Sequence, residues 1–250
     1  MNKKYRKKRG STRYLVLFIF ITTLFSGLWY TLTLFLKDME YFNIEKIEIV
    51  GQKNLDPAFL QNVSKDYIGM NIFKVKKQDV IRKYESIVRV KKAKVSRRYP
   101  STLKVEIQER TGMLYVKTSD GDFFPIDSEF IVLDKADFYF SEDIPLVSLN
   151  MQKSKIHLGE KLNDHNLKLI MALHQTIMKI DKSFVNSISE YYIKEKSIVF
   201  VDSHSGCRVI LGNKDIEKRI ERYVFLRSNK GFKKNTVVDL RYNDQIIVRD

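Results

Sequence analysis

Cysteine is almost missing from this chain of 250 residues: Cys207 stands alone, which excludes an internal disulfide and a cysteine-built zinc knuckle. Histidine is nearly as scarce. His157, His165, His174 and His204 form no His-Glu-x-x-His and no short-spaced pair, so no metal site is signalled. Four prolines and ten glycines leave no long linker and no low-complexity segment beyond a basic N-terminal arm. The chain has no Gly-x-x-x-x-Gly-Lys phosphate loop and no Gly-x-Ser-x-Gly elbow. Acidic residues are absent ahead of Asp38, and residues 14–36 carry no charge of either sign.

That uncharged run is the first positive signal. At about 1.5 Å per residue it makes roughly 34 Å of helix, enough to cross a bilayer core of about 30 Å. A cleaved secretory signal would have an apolar region of only about 7 to 15 residues ending in small residues, whereas this one ends in Leu34-Phe35-Leu36-Lys37-Asp38. Lys3, Lys4, Arg6, Lys7, Lys8, Arg9 and Arg13 precede the run, and Asp38 and Glu40 follow it. The positive-inside rule then predicts a cytoplasmic N-terminus, a single retained span and an extracytoplasmic remainder. Trp29 and Tyr30 fall near the outer end, where amphipathic rings suit the interface.

The net charge of +15 is unevenly spread. Besides the arm, the excess sits in residues 65–110, with fourteen Lys or Arg against five Asp or Glu. An exported domain meets little nucleic acid, so this basic stretch is either a solvated face or a contact for anionic lipid, wall polymer or an acidic partner.

Beyond the span, the patterning predicts an α+β chain. Ile44, Ile47 and Ile49 alternate along a strand over residues 42–50. Asp56-Pro57 is a helix start, with Phe59, Leu60 and Val63 as its stripe. A second helix carries Val75, Val80, Ile81 and Tyr84. Two strands follow, around the turn Arg98-Tyr99-Pro100-Ser101. The order over residues 42–110 is β-α-α-β-β. Residues 111–250 predict a mixed, mostly antiparallel β domain with two helices. Its expected parts are a meander of strands at 113–116, 123–126 and 130–133, an extended 144–149, a helix over 163–180 with His174 in its packing stripe, and strands at 193–201 and 207–211. A charged helix over 214–227 and closing strands at 236–242 and 245–249 complete it. The expected division is therefore arm 1–13, span 14–36, first domain 42–110 and β domain 111–250, with little linker between the last two.

These residues resemble the FtsQ/DivIB family of bacterial cell-division proteins over nearly the whole chain. The first domain is similar to a POTRA domain, with Gly69-Met70-Asn71-Ile72-Phe73 and the turn, final strand and Glu109-Arg110 end in matching places. Residues 206–212, the charged helix and Val238-Asp239-Leu240-Arg241-Tyr242 resemble the family's closing β region. The resemblance implies a non-enzymatic scaffold at the division septum, without a cofactor, that binds the small single-span proteins FtsB (DivIC) and FtsL and helps control septal peptidoglycan synthesis. It further implies that the partner adds a short strand beside the last strand of the β domain. By position the contact region falls on Arg241, Tyr242, Asp244 and Gln245, and an uncovered final strand would add Ile246, Ile247 and Val248. The turn Asn243-Asp244-Gln245 lacks the glycine common in relatives. The competing reading for Tyr242, Ile246 and Val248 is plain core cover.

Two enzyme-like fragments need weighing. Ser101-Thr102-Leu103-Lys104 has Ser-x-x-Lys spacing and Lys117-Thr118-Ser119 faintly resembles Lys-Thr-Gly, but Ser101 enters a strand, which separates it from Lys104, and Ser-Asp-Asn is absent. The acidic group Asp134, Asp137, Glu142 and Asp143 falls in a loop and reads as solvated charge. An alternative scaffold would act through the basic face of the POTRA-like domain, at Lys91, Lys92 and Lys94.

Overall fold

A computed structural model describes residues 10–134, 142–212, 214–242 and 245–249. Two compact units divide between Glu109 and Arg110.

The first unit opens with α1, Gly10–Asp38, the one helix among the described residues long and apolar enough to cross a membrane. None of its apolar window is buried in protein, which separates it from the core helix of a soluble domain. The hydroxyls of Thr22, Thr23, Thr31 and Thr33 are satisfied within the helix: Thr22 donates to the Ile19 carbonyl at 2.9 Å and Thr31 to that of Leu28 at 2.9 Å. They need no neighbouring helix to be tolerated in lipid.

Then come β1 (Lys46–Val50), α2 (Pro57–Val63), α3 (Lys77–Glu85), β2 (Val90–Arg98) and β3 (Thr102–Glu109). The central strand is β3, parallel to β1 and antiparallel to β2. The expected start of α2 is present: Asp56 accepts the amides of Ala58 and Phe59, both at 3.1 Å, and Pro57 sits in the first turn, where no amide partner is needed. Ile47, Leu60, Val80, Tyr84, Leu103 and Val105 pack as the core, each large side chain contributing about 2 kcal/mol by leaving water. The Tyr84 hydroxyl reaches the Leu60 carbonyl at 3.1 Å and so stays satisfied. The Glu109 carboxylate accepts the amides of Lys53, Asn54 and Leu55, tying the end of β3 to the loop before α2. Gly51, at φ 93°, lies where any Cβ would strike the Ile107 carbonyl, so only glycine turns the chain there.

One strand is shorter than its alternation suggests. Residues 42–44 do not join β1; they pair with the 69–72 loop instead. The Ile44 amide donates to Met70, the Gly69 amide to Ile44 and the Ile72 amide to Phe42. The alternating pattern records a buried face and cannot tell which neighbour provides the ladder.

The second unit holds β4 (Leu114–Lys117), β5 (Phe123–Ile126), β6 (Leu146–Ser148), α4 (His165–Ile180), α5 (Lys182–Val185), β7 (Ile188–Lys194), β8 (Ser197–Asp202), β9 (Arg208–Gly212), α6 (Ile216–Lys230), β10 (Val237–Asp239) and β11 (Ile247–Arg249). One sheet runs β11-β10-β9-β8-β7-β6-β4-β5, and α4, α5 and α6 pack with it in a single core. Pairing is antiparallel at β4–β5, β7–β8, β8–β9 and β10–β11, and parallel at β4–β6, β6–β7 and β9–β10.

Three expectations change here. Residues 130–133 are no strand, only isolated bridges. The Asp127 carboxylate accepts the amides of Glu129 at 2.8 Å and Ile131 at 2.9 Å, and Phe130 turns to φ 68°, so a side-chain-organised turn replaces the third strand of a meander. Residues 193–201 are not one strand but the end of β7, a turn at Glu195 and Lys196 with φ 50° and 61°, and the start of β8. That primed turn carries none of the Gly or Asn residues that usually announce it. The one-turn helix α5, capped by Asp181 on the amides of Ser183 and Phe184, was also not expected from the sequence.

A candidate partner-binding sheet edge

A sheet can accept a further strand only where backbone groups remain unpaired. Three of the four outer strands are blunted. On β1, the Ile47 carbonyl takes the Gln61 side-chain amide at 3.1 Å. On β2, the Ala93 amide donates to Glu85 at 3.0 Å, and exposed Lys91, Lys92 and Lys94 flank it. On β5, Pro125 has no amide hydrogen, its carbonyl takes the Leu133 amide at 2.9 Å, and Ile126 bridges Val132. The fourth is β11, which ends the sheet and, among the described residues, pairs with no strand but β10.

The register of β11 follows from β10. Val238 lies opposite Val248, and Asp239 opposite Ile247, so Val238, Val248 and Ile246 share one face. Val238 is fully buried and Ile246 packs against the core, but Val248 is 49% exposed. The apolar row thus extends beyond the cover that the unit supplies. Ile247 is half-buried, Gln245 exposed, and Tyr242 is 48% exposed, so neither Tyr242 nor Val248 is the core cover that hydrophobicity alone would allow. Asp244 falls outside the described residues.

Arg241 is committed internally. Its guanidinium grips the Asp239 carboxylate, with Nε at 3.0 Å and Nη2 at 2.7 Å, and holds that carboxyl below the usual carboxylate range. Its carbonyl accepts from Nη2 of the buried Arg219 on α6 at 3.0 Å, while Nη1 of Arg219 binds the Leu211 carbonyl. Gly212, at φ 73°, makes room for both arginines: a Cβ there would lie 2.8 Å from Arg219 Nη1 and 3.2 Å from Arg241 Cγ. The glycine ending β9, the charged helix and the Asp-Leu-Arg segment therefore form one bracket behind the turn into β11. Sequence reasoning named Arg241 but missed Arg219 and Gly212 as its supports. The available signal was an arginine on the otherwise apolar face of α6, between Ile216 and Ile220.

A second cluster was invisible in the sequence. The Asp202 carboxylate, fully buried, accepts the Tyr223 hydroxyl at 3.0 Å and the His204 amide at 2.9 Å and pairs with Arg227 Nε at 2.7 Å. Burial, then the neighbouring carboxylate, pushes the Tyr223 hydroxyl up. With its charge neutralised and its oxygens used, the group fastens the β8–β9 loop to α6 rather than offering a reactive atom. Cys207 is buried beside it, with Sγ 3.4 Å from the Lys233 carbonyl. His174 sits within α4, hydrogen-bonded through Nδ1 to the Tyr191 hydroxyl at 3.0 Å, and burial lowers it to about 4. Ser101 and Lys104 do not meet: the first bonds Glu45 and the second Glu106. Among the described residues, no group of three or more His, Cys, Asp or Glu side chains could hold a metal ion.

Comparison with known proteins adds two findings. A family model for the FtsQ-type POTRA domain matches residues 42–110. The chain is 29% identical over 181 residues to a cell division protein DivIB of Clostridium botulinum strain Hall, covering 72% of this chain and 68% of the relative. It is 27% identical over 240 residues to the DivIB of strain Loch Maree, covering 95% and 90%.

Proposed function

The chain belongs to the FtsQ/DivIB family of cell division proteins, and from that premise we propose that it is a non-enzymatic scaffold whose β11 edge takes a strand from a small single-span partner of the FtsB/DivIC or FtsL type. A division role and a membrane anchor through α1 are the frame. Within it, the cytoplasmic arm, the first unit as residues 42–110, the second as residues 111–250, placement of both outside the membrane at the septum, and a part in governing septal peptidoglycan synthesis complete the reading.

One observation carries the choice of edge: β1, β2 and β5 are blunted by Gln61, Glu85 and Pro125, and among the described residues the side of β11 away from β10 pairs with no strand. An added strand would gain main-chain bonds along β11 and cover the apolar row at Val248. Tyr242, Gln245, Ile246 and Ile247 flank the same docking line, Asp244, outside the described residues, is kept as a contact by its place in the sequence, and Arg241 shapes the approach from behind through Asp239 and Arg219.

The test is capture of the exported segments of FtsB-like and FtsL-like proteins by the full chain in detergent, comparing wild type with Tyr242→Glu and Val248→Lys. A charge at a desolvated strand contact costs more than about 1.4 kcal/mol, the value of a tenfold change in affinity. Both variants should therefore bind at least about tenfold more weakly with unchanged circular dichroism. Capture that survives both would place the interface elsewhere.

A further inference from the structure

Two segments remote in sequence converge on the point where α1 leaves its apolar run. Asn71 is buried, and its Nδ2 donates to the carbonyls of Leu36 at 3.1 Å and Met39 at 3.0 Å, while its Oδ1 takes the Phe73 amide at 2.9 Å. Carbonyls in the last turn of a helix have no intrahelical partner, so the carboxamide acts as a tertiary cap. Lys74 adds an ion pair to Asp38 at 3.1 Å. Residues 71–74 are thereby held at the level of residues 36–39.

From that anchor runs a row of rings. Tyr41 meets Phe42 edge-on at 5.2 Å, Phe42 meets Phe73 at 5.1 Å, and Phe73 stacks on Tyr99 at 5.3 Å. The row ends in open rings: Tyr41 is 67% exposed and Tyr99 59%, with Met70 beside Asn71 at 48%. Large apolar side chains gathered and left uncovered mark an interaction surface. Rings with one polar tip partition to the headgroup layer of a bilayer, and of the charges that flank the row in sequence, Lys37, Lys74 and Arg98 suit that layer as well, while Asp38 is paired with Lys74 and Glu40 adjoins Tyr41.

We infer that the row from Tyr41 through Phe42 and Phe73 to Tyr99, with Met70, is a bilayer contact that seats the POTRA unit on the lipid surface its own span enters. The occupant is lipid because the row is continuous with α1. The turn bonded by Asn71 is the one where apolar residues give way to Lys37 and Asp38, so groups fixed there share the depth of the membrane boundary. The loop at 69–73 and the turn at Tyr99 then do more than close the domain: they fix its attitude above the membrane, as one flexible joint after a helix would not. This rests on the reading of α1 as a span.

The chain's one tryptophan, Trp29, lies in α1 and provides the internal reference. The full chain is reconstituted in phosphatidylcholine–phosphatidylglycerol vesicles, with or without lipids brominated near the carbonyl. Emission is compared for wild type, for Trp29→Phe/Tyr99→Trp and for Trp29→Phe/Met70→Trp. The expected result is bromolipid quenching of Trp29 and of both introduced probes, the latter also shielded from aqueous iodide. Quenching of Trp29 with neither introduced probe quenched, and both open to iodide, overturns the inference and leaves the span intact. No quenching of Trp29 overturns the span and the inference with it.

Discussion

Gly212→Ala offers a sharp test of the bracket behind β11, because Gly121→Ala provides its control. Both glycines have positive φ, 73° and 89°, but a methyl group at Gly121 would meet nothing within 4 Å, whereas one at Gly212 would face Arg219 Nη1 at 2.8 Å and Arg241 Cγ at 3.2 Å. A left-handed alanine costs about 1–2 kcal/mol. Reduced freedom of the unfolded chain offsets about 0.4–1 kcal/mol of that, so Gly121→Ala should cost about 1 kcal/mol. At Gly212 the Arg219 side chain must also swing away, stranding the Leu211 or Arg241 carbonyl it serves. A hydrogen bond to a charged group contributes about 1.5–3 kcal/mol, which brings the total to about 2.5–4 kcal/mol for one bond lost. At about 2–4 °C per kcal/mol, that additional loss should lower thermal unfolding of the full chain in detergent by about 3–12 °C more for Gly212→Ala than for Gly121→Ala. Partner capture should weaken only in the former. Equal losses in the two variants would refute the account of Gly212 as the space both arginines need.

Two further outcomes are expected. The His174 imidazole titrates near 6.5 when unfolded and about 4 when folded, so the unfolded chain takes up the proton first and stability falls as pH drops from about 6.5 to about 4. The loss is about 1.36 kcal/mol per pH unit, on the order of 3 kcal/mol in all, and it should vanish from the melting curves of His174→Gln; an unchanged slope would exclude the histidine as its source. Reversal of the exposed edge lysines as Lys91→Glu/Lys92→Glu/Lys94→Glu sets position 94 opposite Glu106, a like-charge pair costing less than about 1 kcal/mol, and should leave partner capture intact. Lost capture with strong salt dependence in wild type would move the working surface to the basic face of the POTRA unit.

Elements governed by neighbours in sequence were legible. The span needs only a long uncharged run, and the start of α2 needs only Asp56 ahead of Pro57, whose bonds close within three residues. The stripes of α3 and α4 follow from their apolar spacing, and the buried Val80, Tyr84, Leu167, Ile170 and His174 lie on them. Turns without a compositional marker were not legible. Glu195-Lys196 adopts a left-handed pair without Gly or Asn, and Phe130 takes positive φ because Asp127 organises the loop around it. Parallel pairing of β6 between β4 and β7 was equally hidden, since a short apolar run carries no record of its partner's direction.

By itself, the sequence determined a charged arm, one span, a β-α-α-β-β unit, an α+β second unit and the family resemblance, because local periodicity, charge and linear motifs need no folding to be seen. It also named the last strand. Only tertiary structure decided that this strand, unlike β1, β2 and β5, keeps an unpaired edge among the described residues, that Arg241 is held by Asp239 and Arg219, and that Asn71 bonds the end of α1. Each depends on groups distant along the chain meeting at hydrogen-bond range, and no period or spacing in the sequence encodes which of them will meet.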